Sequence, residues 1–370
     1  GLSETEPDPF GGHYGRVPGS NVLDGSVHEY AEHLLSRKLF DTASDDALAR
    51  AYEDFSRQAA QLGFTTIQDM ALGLTRARSL RVLARADLAL RVRSICFPLT
   101  PDESCAVDPV SLPGLGPRVY ADGFKWITDG SPIERGAFLE APYSDAPETR
   151  GVFNFEPVAL QGMLSRGLLG PPRRNQALVH AVGDGAVDNV LAAVAATGGA
   201  AAWRGRRLRI EHADLLFPDH FGELTDLGAV VVQNPLHLGV PELLTRRFGP
   251  ERIAMAQPLQ TLRELGIPLA LGTDAIGAVS SPWLDVFLAA IHPTRPSEAL
   301  TVEQAVSAYT HGSAYAEFED FQKGKLAPGR LADLAVLSQD VFTAPLPALP
   351  ATRSVLTVVG GRVVWDAGEL

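Results

Sequence analysis

Residues 266–276 read GIPLALGTDAI, an apolar run that ends abruptly on a carboxylate. Positions 267–271 are too continuously apolar for a surface strand and fit one buried on both faces, as in a parallel sheet. Asp274 falls just past the C-terminal end of that strand. The same pattern recurs further back: RLRIEHAD puts His212 after a strand-like run, QALVHAVGDGA does so for His180, and DGFKWITDGS embeds Lys125 in a third. Four groups able to ligate a metal or move a proton therefore fall near the same ends of four strands.

Taken in order, strand-like runs begin near residues 64, 91, 123, 177, 208, 230 and 268, with helical stretches between them. Alternation of this kind builds a parallel α/β sheet, either doubly wound or closed into a barrel, and closure usually takes eight strands. Before the first strand, residues 1–24 are rich in Gly, Pro and acidic groups and read as an irregular loop. Residues 27–39 and 45–61 follow as helices. Residues 129–153 are too long and too rich in Pro for a plain turn, which is the texture of an active-site loop. A Pro- and Gly-rich loop spans 100–117, and helices are expected over 282–291 and 301–318. The texture then changes to short strands with Gly turns. The expected division is a barrel over residues 1–320 and a small β-sandwich part over 321–370.

Composition narrows the function classes. Of 370 residues, 45% are hydrophobic and 21% charged, an ordinary globular balance. The net charge of −12 leaves no basic surface for nucleic acid or an anionic membrane. No apolar run approaches the ~20 residues that cross a bilayer. The first residues lack the basic start and apolar core of a signal peptide, which does not settle localisation. A cytoplasmic protein is the expectation. Two cysteines, Cys96 and Cys105, support neither a disulfide framework nor a Cys-based zinc site and read as free thiols.

Each candidate residue also has a plainer account. His180 alone reads as a satisfied core histidine, and His212 beside Glu211 reads as half of an ion pair. Lys125, between Phe124 and Trp126, must pair, lose its charge or be carboxylated, and its plain account is a buried Lys–Asp pair. Asp274 could simply cap a helix, and Asp184 in HAVGDGA reads first as a cap with an orienting role as the alternative. Asp129 reads as a turn residue. His237 and Gln233 in VVQNPLHL fall at the seventh strand end, where they could hold a substrate carbonyl. His28 and His33 would lie roughly 140° apart on a helix, a poor metal pair. Taken together, Lys125, His180, His212 and Asp274 are harder to explain singly, since strand ends of a parallel barrel converge without being near in sequence.

These motifs, with GFTTIQDM, APYSD, RIEHADLLFPD, GTDA and KGKLAPGRLADLAVL, resemble the amidohydrolase superfamily and, more narrowly, the amidohydrolase 3 or YtcJ-like family that includes N-substituted formamide deformylases. The resemblance implies a TIM-like (β/α)8 barrel with a small β-sandwich and a metal-dependent hydrolase acting on a non-peptide C–N bond. It further implies one or two divalent metal ions, zinc or a similar cation. Lys125 (carboxylated), His180, His212 and Asp274 would be the ligands, and Asp274 also the general base. The family's first barrel strand ends in His-x-His, and no such pair occurs here. That strand is therefore expected upstream of Gly1. The alternative is a degenerate, non-catalytic barrel that binds a small molecule or a partner. A small-molecule substrate and a possible homo-oligomer complete the expectations.

Overall fold

The apolar runs read from the sequence pair edge to edge in the order in which they occur. The computed structural model describes residues 2–106, 115–274 and 279–370. Part of the loop read over 100–117, and the last two residues of GIPLALGTDAI, lie outside the described residues. The chain enters through a two-stranded antiparallel hairpin, β1 (Gly12–Arg16) and β2 (Leu23–Glu29), followed directly by α1 (Tyr30–Phe40) and α2 (Asp45–Gln61). The hairpin corrects the irregular loop expected over 1–24. Its turn residues had hidden a short strand, and its pairing absorbs the start of the helix expected from 27.

Seven parallel strands then form one sheet in strict sequence order: β3 (Thr66–Asp69), β4 (Arg91–Cys96), β5 (Val119–Ile127), β6 (Ala177–Ala181), β7 (Arg209–His212), β8 (Val230–Gln233) and β9 (Leu269–Leu271). Between them run α3 (Arg76–Leu83), α4 (Pro157–Ser165), α5 (Asp184–Ala196), α6 (Gly199–Trp203), α7 (Pro218–Leu227), α8 (Pro241–Ile253) and α9 (Leu259–Glu264). Helices α10 (Pro282–Ile291), α11 (Val302–Ser307) and α12 (Ser313–Ala316) follow, the last two joined by a π-helical turn, Ala308–Gly312, inside the single helix expected over 301–318.

Alternation along each strand sorts the two faces of the sheet. Trp126, Val179, Ile210 and Val231 face outward into one core with Leu160 and Met163 of α4, Val187 and Val190 of α5, and Leu224 of α7. Residues of the other phase are buried as well, and beside apolar ones such as Leu178, Val230 and Val232 they include a polar network. Arg93 is fully buried, with Nε 2.5 Å from Asp122 Oδ1 and Nη2 2.8 Å from Gln176 Oε1. Arg209 holds Glu211 in a bidentate pair at 2.7 and 3.1 Å and also donates to Gln68 Oε1. Gln68 lies on β3 and Arg209 on β7, four strands apart, a separation of about 19 Å in a flat sheet. Their contact shows that the sheet curls into most of a barrel, with this polar network as its filling. Among the described strands β3 and β9 remain the two edges.

A three-stranded antiparallel sheet, β10 (Leu334–Leu337), β11 (Ser354–Val359) and β12 (Arg362–Asp366), packs on α2. Val359 meets Ala59, Ala60 and Leu90, Thr357 Oγ1 donates to Ala60 O at 2.7 Å, and Arg91 pairs with Asp333 at 2.7 Å. Cys96 and Cys105 form a disulfide, which corrects the expectation of free thiols. Cys96 ends β4, and the chain beyond it folds back because Glu103 accepts from both Arg37 and the Leu99 N–H at 2.8 Å, bringing the two Cα atoms to 5.7 Å. No helix of the described residues is long and apolar enough to cross a membrane.

Candidate metal centre

Register brings the candidate residues to one end of the sheet. Ile127 of β5 is opposite His180, and Ala181 is opposite His212, so β5, β6 and β7 finish at nearly the same level. On β5 and β6 the outward neighbours Phe124, Trp126, Val179 and Ala181 leave Lys125 and His180 on the inner face. His212 breaks the alternation, because Glu211 already occupies that phase. Its backbone turns into the left-handed region (φ 71°), as does Ala213 (φ 47°), and its ring lies 4.4 Å from the His180 ring, centroid to centroid. Asp274 also has a positive φ, 47°. Non-glycine residues hold such angles at a cost of about 1–3 kcal/mol, and they cluster where a side chain must point in an otherwise forbidden direction.

The tightest convergence is between His212, His237 and Asp274, one donor atom of each lying within 4.8 Å of the others. Each imidazole is fixed from behind. Asn234 Nδ2 donates to Gly272 O at 2.8 Å, which turns its Oδ1 toward His212 Nδ1, also at 2.8 Å. The proton is thus on Nδ1, and the lone pair is on Nε2. Asp214 Oδ2 accepts from His237 Nδ1 at 2.9 Å, and His237 Nε2 lies 3.6 Å from Asp274 Oδ2. Gln257 Nε2 ties the two supports together, donating to Asp214 Oδ1 at 2.8 Å and to Asn234 O at 3.0 Å. An imidazole whose far nitrogen donates to a carboxylate or amide oxygen is the usual form of a metal-ligating histidine. Two such imidazoles and a carboxylate could hold zinc or a similar cation, and Asp274, with 37% of its side chain exposed, keeps the outer side open.

Charge within the cluster is divided. Burial drives the His180 and His212 imidazoles below their ordinary pKa, and Lys125 acts on both in the same direction, so both are neutral, the ligand form. Burial also opposes a charge on His237, but Asp214 and Asp274 outweigh it and push its pKa up to about 10, so a cation taking the Nε2 lone pair would displace a proton from this ring. For Asp274 burial acts against ionisation. The His237 imidazole close beside it and the charge of Lys125 nevertheless hold it well below the usual carboxylate range.

Lys125 is buried on the inner face, and among the described residues its ammonium makes no ion pair. His180 Nε2 is buried 3.4 Å from Asp129 Oδ1 and has no hydrogen bond. Asp129, read as a turn residue, is fully buried and accepts the N–H groups of Val182, Gly183 and Phe138 at 2.9–3.0 Å. It thereby pins the long loop after β5 to the end of β6. A Cβ on Gly183 would lie 2.0 Å from Phe138 O, so only glycine admits that approach. Asp184 accepts from Glu140 N at 3.1 Å, anchoring the same loop. Gln233 is fully buried and donates to Ala213 O at 3.1 Å. Asp214, Asn234 and Gln257 carry no sequence signal as supports, since each is recognisable only from the partner it meets in space.

The fold and this constellation define a class, and comparison with known proteins agrees. The amidohydrolase family model matches residues 1–365, and the chain belongs to that family. Among curated relatives, the protein LONG AFTER FAR-RED 3 of Arabidopsis thaliana is 29% identical over 392 residues, covering 98% of this chain and 65% of its own length. The putative amidohydrolase YtcJ of Bacillus subtilis is 29% identical over 262 residues, covering 68% of this chain and 48% of its own. The chain therefore spans about half to two thirds of these relatives. An uncharacterized metal-dependent hydrolase of Pyrococcus horikoshii OT3 superposes with a TM-score of 0.72 at 24% identity, over 90% of this chain and 68% of that one, a likeness of fold.

Proposed function

We propose that the protein is a metal-dependent hydrolase that cleaves a non-peptide C–N bond in an amide-like small molecule. The observation that carries this reading is the meeting of His212, His237 and Asp274, with both rings tied from behind by Asn234 and Asp214. Membership of the amidohydrolase family and the likeness to YtcJ support the choice of an amide. The three residues would hold a divalent cation, with His180 and a carboxylated Lys125 as further donors. A cation there supplies Lewis-acid polarisation of a carbonyl and lowers the pKa of water. The remaining work falls to the chain. Asp274, kept ionised beside His237, takes a proton at Oδ and returns one to the leaving amine nitrogen.

The test is hydrolysis of a panel of N-substituted amides and formamides by the zinc-supplied protein, followed by amine release. Wild type should turn over at least one of them. Asp274→Asn should lower kcat by about 10²–10⁴-fold, the usual worth of a general base. Equal rates in wild type and D274N, or no turnover across the panel, would contradict the proposal.

A further inference from the structure

Helix α10 contributes nothing to the donor set, yet one of its side chains reaches the turn that carries His237. Asp285, in the first turn of α10, is fully buried, and its Oδ1 accepts the Leu236 N–H at 2.9 Å. Its Oδ2 is also buried and has no hydrogen-bond partner among the described residues. The helix does not need this carboxylate for its own fixing. Ser281 caps it at Trp283 N, and Trp283, Val286 and Ala289 pack against Leu259, Leu271, Leu300 and Ala305. A half-satisfied buried carboxylate is costly, and such groups persist in folded proteins where they hold something in place.

What it holds is the backbone amide immediately before His237. His237 projects from a short 3₁₀ turn, Pro235–Gly239, which begins with proline and so lacks one donor. The His237 N–H is taken by Asn234 O at 2.9 Å and the Leu236 N–H by Asp285, one anchor inside the turn and one from outside it. From that fixed backbone the imidazole spans Asp214 on one side and Asp274 on the other, at 2.9 and 3.6 Å. A shift of the Leu236 backbone is carried directly to the adjacent His237 and so to both contacts.

We propose that Asp285 is a positioning residue that clamps the 235–239 turn and so aims the His237 imidazole at the metal centre. The proposal rests on the reading of His237 as part of that centre, and its test separates the two. Asp285→Leu fills the same apolar surroundings without an acceptor, and Asp285→Asn keeps an oxygen for the Leu236 N–H without the charge. In chelator-treated protein, the His237 ring signals are followed by ¹⁵N NMR, assigned by their loss in His237→Asn. Zinc affinity is then measured by chelator competition.

D285L should melt cooperatively, shift the His237 signals and weaken zinc by about 10–100-fold, the usual effect of removing support behind a ligand. D285N should keep both within threefold of wild type. A D285L protein with wild-type His237 signals overturns the proposal, as does a D285N protein as perturbed as D285L. Should D285L fail to fold, D285N alone decides: unchanged His237 signals support the clamp and shifted signals refute it. Absence of zinc binding in wild type would sink the metal reading while the NMR comparison still judges Asp285.

Discussion

Asp274 and Asp285 show how two carboxylates in one neighbourhood acquire opposite character. Asp274 touches His237 and stays charged, whereas burial pushes Asp285 up to about 7, with the Leu236 N–H and the His237 charge opposing the rise. In the unfolded chain Asp285 titrates near the ordinary aspartate value of 3.8. Between that value and 7 the native state holds a proton the unfolded state has lost, so stability declines as pH rises through the window. Asp285→Asn removes this slope. Urea unfolding of chelator-treated protein should show D285N gaining about 3 kcal/mol on wild type between pH 5 and pH 8. An unchanged difference between the two pH values would refute the assignment.

At this scale the sequence located strand ends where a chemical group interrupts an apolar run, as at His180, His212 and Asp274. It was unreadable where a residue's role depends on a partner tens of positions away, as for Asn234 behind His212 or Asp214 behind His237. His237 itself was expected to meet substrate, because nothing in VVQNPLHL reveals that its ring would meet Asp274.

Elements were legible in proportion to their local signals. Ser44 before α2 and Ser281 before α10 are N-caps whose side chains accept from Ala47 N and Trp283 N, and the expected spans of both helices match the observed ones. The β1–β2 hairpin was missed because Gly and Pro dominate its sequence. Helix α8 leaves only a weak local signal, because Gly249 and Pro250 break its pattern, and Gly249 has a φ of 80° within it. The inner face of the sheet could not be read as a network. Arg93, Arg209 and Gln68 sit on different strands and meet only through the curl. Removing one member of such a buried set leaves its partner uncompensated. Arg93→Leu should therefore destabilise the protein by about 3 kcal/mol, the low end of that class, since Arg173 remains 3.1 Å from Asp122. Chemical denaturation measures it, and a loss below about 0.5 kcal/mol, the range of ordinary surface changes, would show that the network does not hold the strands together.

For the whole molecule, the parallel order β3 to β9 delivers residues from β5, β6, β7 and the loops after β8 and β9 to one mouth. The parallel α/β class followed from strand–helix alternation and the barrel from the family resemblance, while the disulfide and the left-handed turns at His212 and Asp274 are products of three-dimensional packing. The central claim is that His212, His237 and Asp274 share one divalent cation. Its most direct measurement is zinc affinity and stoichiometry by chelator competition for wild type, His212→Asn, His237→Asn and Asp274→Asn, with folding checked by circular dichroism. The account predicts at least one tightly held zinc in wild type and a loss of about 100-fold or more in affinity for each variant, since each deletes a ligand. Wild-type affinity in H237N, or no zinc in wild type, would contradict it.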